Sequence, residues 1–154
     1  MEGREDKKSN DLFYVCSLIA YIARKNKRKP REIVNLIGLD NLDKIYDLAD
    51  VYHSDNIDRV CDDFSNECQI SMGNFDNVAQ CEYSIPTHWD IGKVYKRLIL
   101  MVSEFNQEDV ILTLEKVYNS FISDLIEDYN SSFYYDNPKS IFATYLNGDV
   151  IKED

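Results

Sequence analysis

The sequence predicts an all-α fold, a compact bundle of six or seven helices. Three observations predict it. Apolar residues recur at helical spacing through most of the chain. Short clusters of turn formers punctuate them. No period-two alternation is strong enough to build a sheet, and a short strand near 81–85 is the one exception the pattern allows. With 44% apolar residues in 154, the chain can remove roughly 70% of its unfolded surface from water.

Residues 1–10 read as a flexible charged arm. From Asp11 onward, Leu12, Val15, Cys16, Ile19, Ile22 and Ala23 form a helical stripe that Phe13, Leu18 and Ala20 widen. So broad a face belongs to a central helix packed on several sides. Pro30 stops or restarts the chain, and "PREIVNLIG" reads as a short helix with Gly38 as its left-handed cap. Residues 40–54 place Leu42, Ile45, Tyr46, Ala49 and Tyr52 on one face, with Asp43, Asp47 and Asp50 on another. Residues 55–68 repeat the device: Ile57, Val60, Cys61, Phe64 and Cys68 form the stripe, and Asp55, Asp58 and Asp62 an acidic row. Asp55 is the expected N-cap there, with Asp58 three residues on. The two segments form an αα-hairpin with an acid-rich outer surface.

These helices make an N-terminal module, residues 11–70. Residues 71–86 lose periodicity and serve as a connector, too short and too apolar for a flexible linker. One composite core is expected. Residues 87–154 hold a helical pair and a Tyr-rich tail. Thr87 as N-cap and Asp90 at N3 shorten the capping box, and Ile85 is placed to staple onto Ile91. Ile91, Val94, Tyr95, Leu98, Ile99 and Val102 continue that helix. Asn106 is the expected cap of its partner, with Asp109 at N3 and the stripe Val110, Leu114, Val117, Tyr118, Phe121, Leu125. A last short helix is expected over 138–146.

Charge is unevenly spread. Residues 24–31 carry six cations and no acid: Arg24, Lys25, Lys27, Arg28, Lys29 and Arg31. Residues 40–90 carry twelve acids against Lys44 and Arg59, nearly the whole of the net −11. Such a flank repels phosphate backbones and attracts basic partners. The N-terminal residues "MEGREDKKSND" lack an apolar signal core, and the longest apolar run, residues 12–23, is half the ~20 residues a membrane span needs. A cytoplasmic protein without a membrane segment is the expectation. The four cysteines show no C-x-x-C pairing and read as free, mostly buried thiols.

Recognised catalytic patterns are missing. There is no G-x-S-x-G, no H-E-x-x-H, and no glycine pair close enough for a phosphate-cradling loop. No cofactor and no catalytic residue is expected. Asp50 and His53, at i and i+3, could share one side of a helix as metal ligands, but a helix-borne di-iron site needs that device twice plus two carboxylates. The plainer reading is an acidic helix face ending in a histidine that pairs with a nearby aspartate. The basic run could bind nucleic acid, or it could be a solvated helix end paired with the acidic flank. Tyr134 and Tyr135 could anchor a partner or close the bottom of the bundle, and Trp89 could seal the junction of the halves or stand exposed as a contact.

The stretch from about 11 to 68, with "FYVCSLIAYIA", "REIVNLIG" and "IYDLADVYHSDNIDRVCDDF", resembles a family of small bacterial helical proteins of unknown function. Members of that family are often encoded beside proteins resembling ADP-ribosyltransferases, an arrangement of toxin and antitoxin. The resemblance implies a non-enzymatic, antitoxin-like interaction module that neutralises or escorts a protein partner. The acidic rows, rather than the resemblance, suggest a partner that is basic or carries a phosphate-binding cleft, and the charge and aromatic pattern makes Asp43, Asp47, Asp50, Asp55, Asp58, Asp62, Trp89, Tyr134 and Tyr135 the expected contacts. The alternatives are a nucleic-acid-binding regulator using the basic run and a metal-dependent enzyme.

Overall fold

The apolar stripe that begins at Leu12 becomes the middle of α1 (Glu2–Asn26), where residues 14–20 are buried in one unbroken run. Seven consecutive buried residues cover almost two helical turns, so this part of α1 is enclosed on every side. The structure, a computed structural model, describes the backbone of residues 2–153 and the side chains of residues 7–148. Around α1 pack α2 (Pro30–Ile37), α3 (Leu39–Asp47), α4 (Ala49–His53) and α5 (Ile57–Glu67). After the short α6 (Asn77–Gln80), α7 (His88–Asn106) runs along α1 in the most extensive helix–helix contact of the fold. Then α8 (Val110–Tyr118) and α10 (Pro138–Glu153) pack on α7, with α9 (Phe121–Ile126) and a 3₁₀ turn (Phe133–Tyr135) between them. The fold is all-α, and among the described residues no helix is long and apolar enough to cross a membrane.

Among the described residues there are ten α-helices rather than six or seven, because two expected helices break and the short α6 forms in the connector. The first breaks at Leu48 (φ −106°, ψ 22°), which is exposed while its neighbour Ala49 is buried. The other breaks at Asn119–Ser120, where the Ser120 hydroxyl caps α9 by accepting from the Ile122 amide. Neither break carries Pro or Gly. The expected arm over residues 1–10 is helical from Glu2 on. Lys7 pairs with Asp11 one turn later, and the Ser9 hydroxyl accepts from Lys96 of α7. These contacts engage Lys7 and Ser9; Met1 lies outside the described residues.

Caps shift in the same local way. Asn56, not Asp55, caps α5 by accepting from the Asp58 amide, so Asp58 sits at N2; Asp55 accepts from the Asn56 amide instead. Gln107 adopts the left-handed conformation (φ 52°, ψ 49°) and ends α7, so Asp109 rather than Asn106 caps α8, accepting from the amides of Ile111 and Leu112. Gly38 has the positive φ expected of a cap (84°), but its ψ of 159° is extended, which lets it end α2 and open α3 at once. The Thr87–Asp90 capping box forms in both directions, at 3.0 and 2.9 Å. Ile85 does not staple it: Ile85 is exposed and Pro86 is the buried residue before the cap. The last helix extends past residue 146.

No strand forms at 81–85 among the described residues. The connector is stitched to both halves instead. The Gly73 and Phe75 amides donate to the carbonyls of Asn26 and Lys27, groups left open at the end of α1. On the other side, the Glu82 amide donates to Asn130 Oδ1 and Asn130 Nδ2 to the Gln80 carbonyl.

One buried acid organises the C-terminal half. Glu127 is 7% exposed, and its carboxylate accepts from the Tyr95 hydroxyl (2.8 Å), the Tyr129 hydroxyl (3.0 Å) and Asn77 Nδ2 (3.1 Å). Burial pushes its carboxyl above the usual range, and the donors only partly offset that. Arg24 Nη2 extends the network, donating to the Tyr129 hydroxyl and the Pro86 carbonyl. Tyr95 in turn stacks on Tyr118, ring centroids 4.1 Å apart.

Where α7 crosses α1, Gly92 lies directly on Ser17. A Cβ at Gly92 would fall 2.7 Å from the Ser17 amide nitrogen and 2.8 Å from its Cα, backbone atoms that no rotamer change can move. In an exposed helix, Gly→Ala adds about 1 kcal/mol of stability. Here overpacking wins, and Gly92→Ala is expected to destabilise the fold by about 2 kcal/mol. Urea unfolding checks this; a midpoint equal to or above that of the parent would refute the close approach.

Candidate functional site

The first turn of α7 meets the middle of α1 and the end of α4 in an aromatic cluster. Trp89 lies 5.5 Å from Phe13, 4.7 Å from His88 and 6.3 Å from His53, between ring centroids. His53 meets Tyr14 edge-on at 5.5 Å, and His88 meets Tyr21 at 5.0 Å. The one Trp and both His of the chain therefore share a single patch. Each element contributes for a local reason. The Thr87 capping box starts α7 so that Trp89 sits in its first turn. The broad face of α1 leaves Phe13 half-buried beside the core stripe. The break at Leu48 starts α4 afresh, with Asp50 and His53 one turn apart.

These side chains line a recess of about 390 Å³, with Trp89, Phe13, Tyr14 and His53 as walls and Asp11 and Asp50 at its edge. Trp89 is 36% exposed, so it stands partly open to solvent rather than sealing the junction. The two carboxylates already share a cation: Lys7 Nζ lies 3.0 Å from Asp11 Oδ2 and 3.0 Å from Asp50 Oδ2. Hydrogen bonds to Asp11 and then Asp50 hold that ammonium above its ordinary value. Burial, with Asp55 adding, pushes the Tyr14 phenol up to about 12, and among the described residues its buried hydroxyl has no hydrogen-bond partner. The His88 imidazole is held below its ordinary value, by burial first and by Arg24 second, and its buried Nε2 is likewise unpartnered.

Of the acidic rows, only Asp50 lines the recess. Asp43 and Asp47 on α3, Asp50 on α4, and Asp55, Asp58 and Asp62 near or on α5 are all exposed. Asp43 is held above the usual carboxylate range by partial desolvation and then by Asp109, Asp47 and Asp40. Asp109 of α8 thus joins a row to which the sequence pattern did not assign it. Asp58 behaves differently: it accepts from the Tyr21 hydroxyl and pairs with Lys25 at 3.3 Å, which lowers its pKa.

Tyr134 and Tyr135 lie elsewhere. They line a cleft of about 420 Å³ with Ile85, Val94, Ile141 and the α7 cations Lys93 and Arg97. Asp90 lines the cleft while its neighbour Trp89 lines the recess, so the two hollows flank one helical turn. The nine residues expected to meet a partner are therefore divided between two places.

Each cation of the basic run is engaged within the fold, although Lys25, Lys27 and Lys29 stay exposed. Besides Arg24 and Lys25, Lys27 pairs with Asp76, Arg28 with Glu32 and the Ser71 carbonyl, and Arg31 with Asp124; Lys29 lies over the Phe75 ring. Of the weak metal pair, Asp50 holds Lys7 and His53 packs against Tyr14 and Trp89. Among the described residues no group of three or more His, Cys, Asp or Glu converges as a metal site. Sequence reasoning missed Lys7, Asp11, Phe13 and Tyr14. The available signal was Phe13, an aromatic off the core stripe of an already broad helix face. Compared with protein-family models, with curated proteins and with solved structures, the chain finds no match.

The depressed His88 pKa carries a sign. An imidazole whose folded value lies below its unfolded value of about 6.5 contributes stability above that pH and loses it as pH falls toward the folded value. The melting temperature of the parent minus that of His88→Gln should therefore shrink as pH falls below about 6.5. A difference that stays flat with pH would refute the assignment.

Proposed function

We propose that this chain is a non-catalytic interaction module, antitoxin-like and acting in the bacterial cytoplasm, that neutralises or escorts a basic protein partner. One observation carries the reading: Asp43, Asp47, Asp55 and Asp62 face solvent with no ion pair among the described residues, while every cation of residues 24–31 has a partner within the fold. A partner with a cleft for nucleotide phosphate presents the complementary positive surface, and an ADP-ribosyltransferase-like protein is the partner that the family resemblance implies. Binding would work by electrostatic steering onto the acidic rows and steric coverage of the cleft. The engaged cations also count against the nucleic-acid reading, because a phosphate would have to compete with the contacts they already make.

Asp43, Asp47, Asp55 and Asp62 form no ion pair among the described residues, so reversing them leaves the internal pairs intact. The chain carrying Asp43→Lys, Asp47→Lys, Asp55→Lys and Asp62→Lys should keep its helical circular dichroism. Its capture of the native partner from cells at low salt should weaken by about tenfold or more. Undiminished capture at low salt would overturn the proposal.

A further inference from the structure

We propose that the recess between α1, α4 and the first turn of α7 is a socket for an arginine side chain of a protein partner, held in the free protein by Lys7. That the arginine comes from a protein rests on the function proposed above; the chemistry of the socket rests on its own geometry. Asp11 Oδ2 and Asp50 Oδ2 both reach one Lys7 Nζ at 3.0 Å, so a single cation can bridge them. The rings of Trp89, Phe13, His53 and Tyr14 line the same recess as these carboxylates. A cation is thus offered opposite charge at the rim and π faces within. That is the pairing that binds guanidinium and alkylammonium groups.

Lys7 satisfies only half of this chemistry. Its ammonium takes the carboxylates, and no cation–π contact of Lys7 with the recess rings is among those formed. A guanidinium is planar, donates through a fork to more than one carboxylate oxygen, and stacks on an indole at the same time. The recess, at about 390 Å³, is larger than such a group. Because Lys7 and Asp50 are both solvent-exposed, exchanging one cation for another costs little. Lys7 then acts as a tethered competitor, occupying the carboxylates until a better-fitting cation arrives. The surrounding aspartates raise the local concentration of cationic side chains.

Trp89 is the only tryptophan, so its emission reports the socket directly. The experiment titrates the full chain with N-acetylarginine methylamide, with N-acetyllysine methylamide, and with N-acetylcitrulline methylamide as the neutral isostere, at constant ionic strength. A saturable change in emission with the arginine compound is expected, weaker with lysine and missing with citrulline. Asp50→Asn should weaken arginine binding by about tenfold, the loss of one charge-assisted contact. Lys7→Ala should tighten it several-fold, whereas Lys8→Ala, which removes the same charge from the next position of α1 without touching Asp11 or Asp50, should not. Equal responses to arginine and citrulline, or equal effects of Lys7→Ala and Lys8→Ala, would overturn the socket. The two proposals fail separately: if the charge-reversed chain loses its partner while no compound binds, only the socket is wrong. If arginine binds and the reversed chain keeps its partner, the acidic-row mechanism falls.

Discussion

Gly92 resting on the backbone of Ser17 sets the distance between α1 and α7, and most of the structure depends on that distance. A side chain there would part the two helices along their length. One turn before Gly92, α7 carries His88 and Trp89; one turn on either side of Ser17, α1 carries Phe13 and Tyr21. The close crossing is therefore what brings those rings within 5.5 Å of one another. Beyond the crossing, α7 turns its other faces to α8 and α10, so an error in its position would spread to the whole C-terminal half.

The Glu127 network ties that half together by a different physical means. An apolar core tolerates small slips; a carboxylate held by Tyr95, Tyr129 and Asn77 does not, because each slip leaves a buried donor unpaired. The network joins α7, the end of α9, the connector and, through Arg24, the end of α1. It also explains why Arg24, the first cation of the basic run, is turned inward.

The legible parts of the fold were those with a local cause. The stripe of α1 followed from burial periodicity, and the Thr87–Asp90 box from a spacing of three residues. Gln107 in a left-handed conformation and the break at Leu48 had no such cause, since neither residue favours that geometry; tertiary packing imposed both. The site was half legible for the same reason. Asp50, His53 and Trp89 each stood out on separate grounds, but their convergence is a long-range contact between α4 and α7. Phe13 passed as a widening of the core stripe, and Tyr14 drew no notice, because the helix they sit on is buried almost all round. Glu127 was one acid among many in an acidic chain, and only its enclosure by phenols distinguishes it.

The stitching of the connector bears on how the two halves depend on covalent linkage. After the exposed Met72, Gly73 and Phe75 close the end of α1 while Gln80 and Glu82 lock onto Asn130, and before it Ser71 accepts from Arg28, so both flanks are held by non-covalent bonds. Scission of the chain beside Met72 would remove one peptide bond and none of these contacts. The protein is thus built as a natural candidate for fragment complementation, in which two separately made pieces assemble into one folded unit.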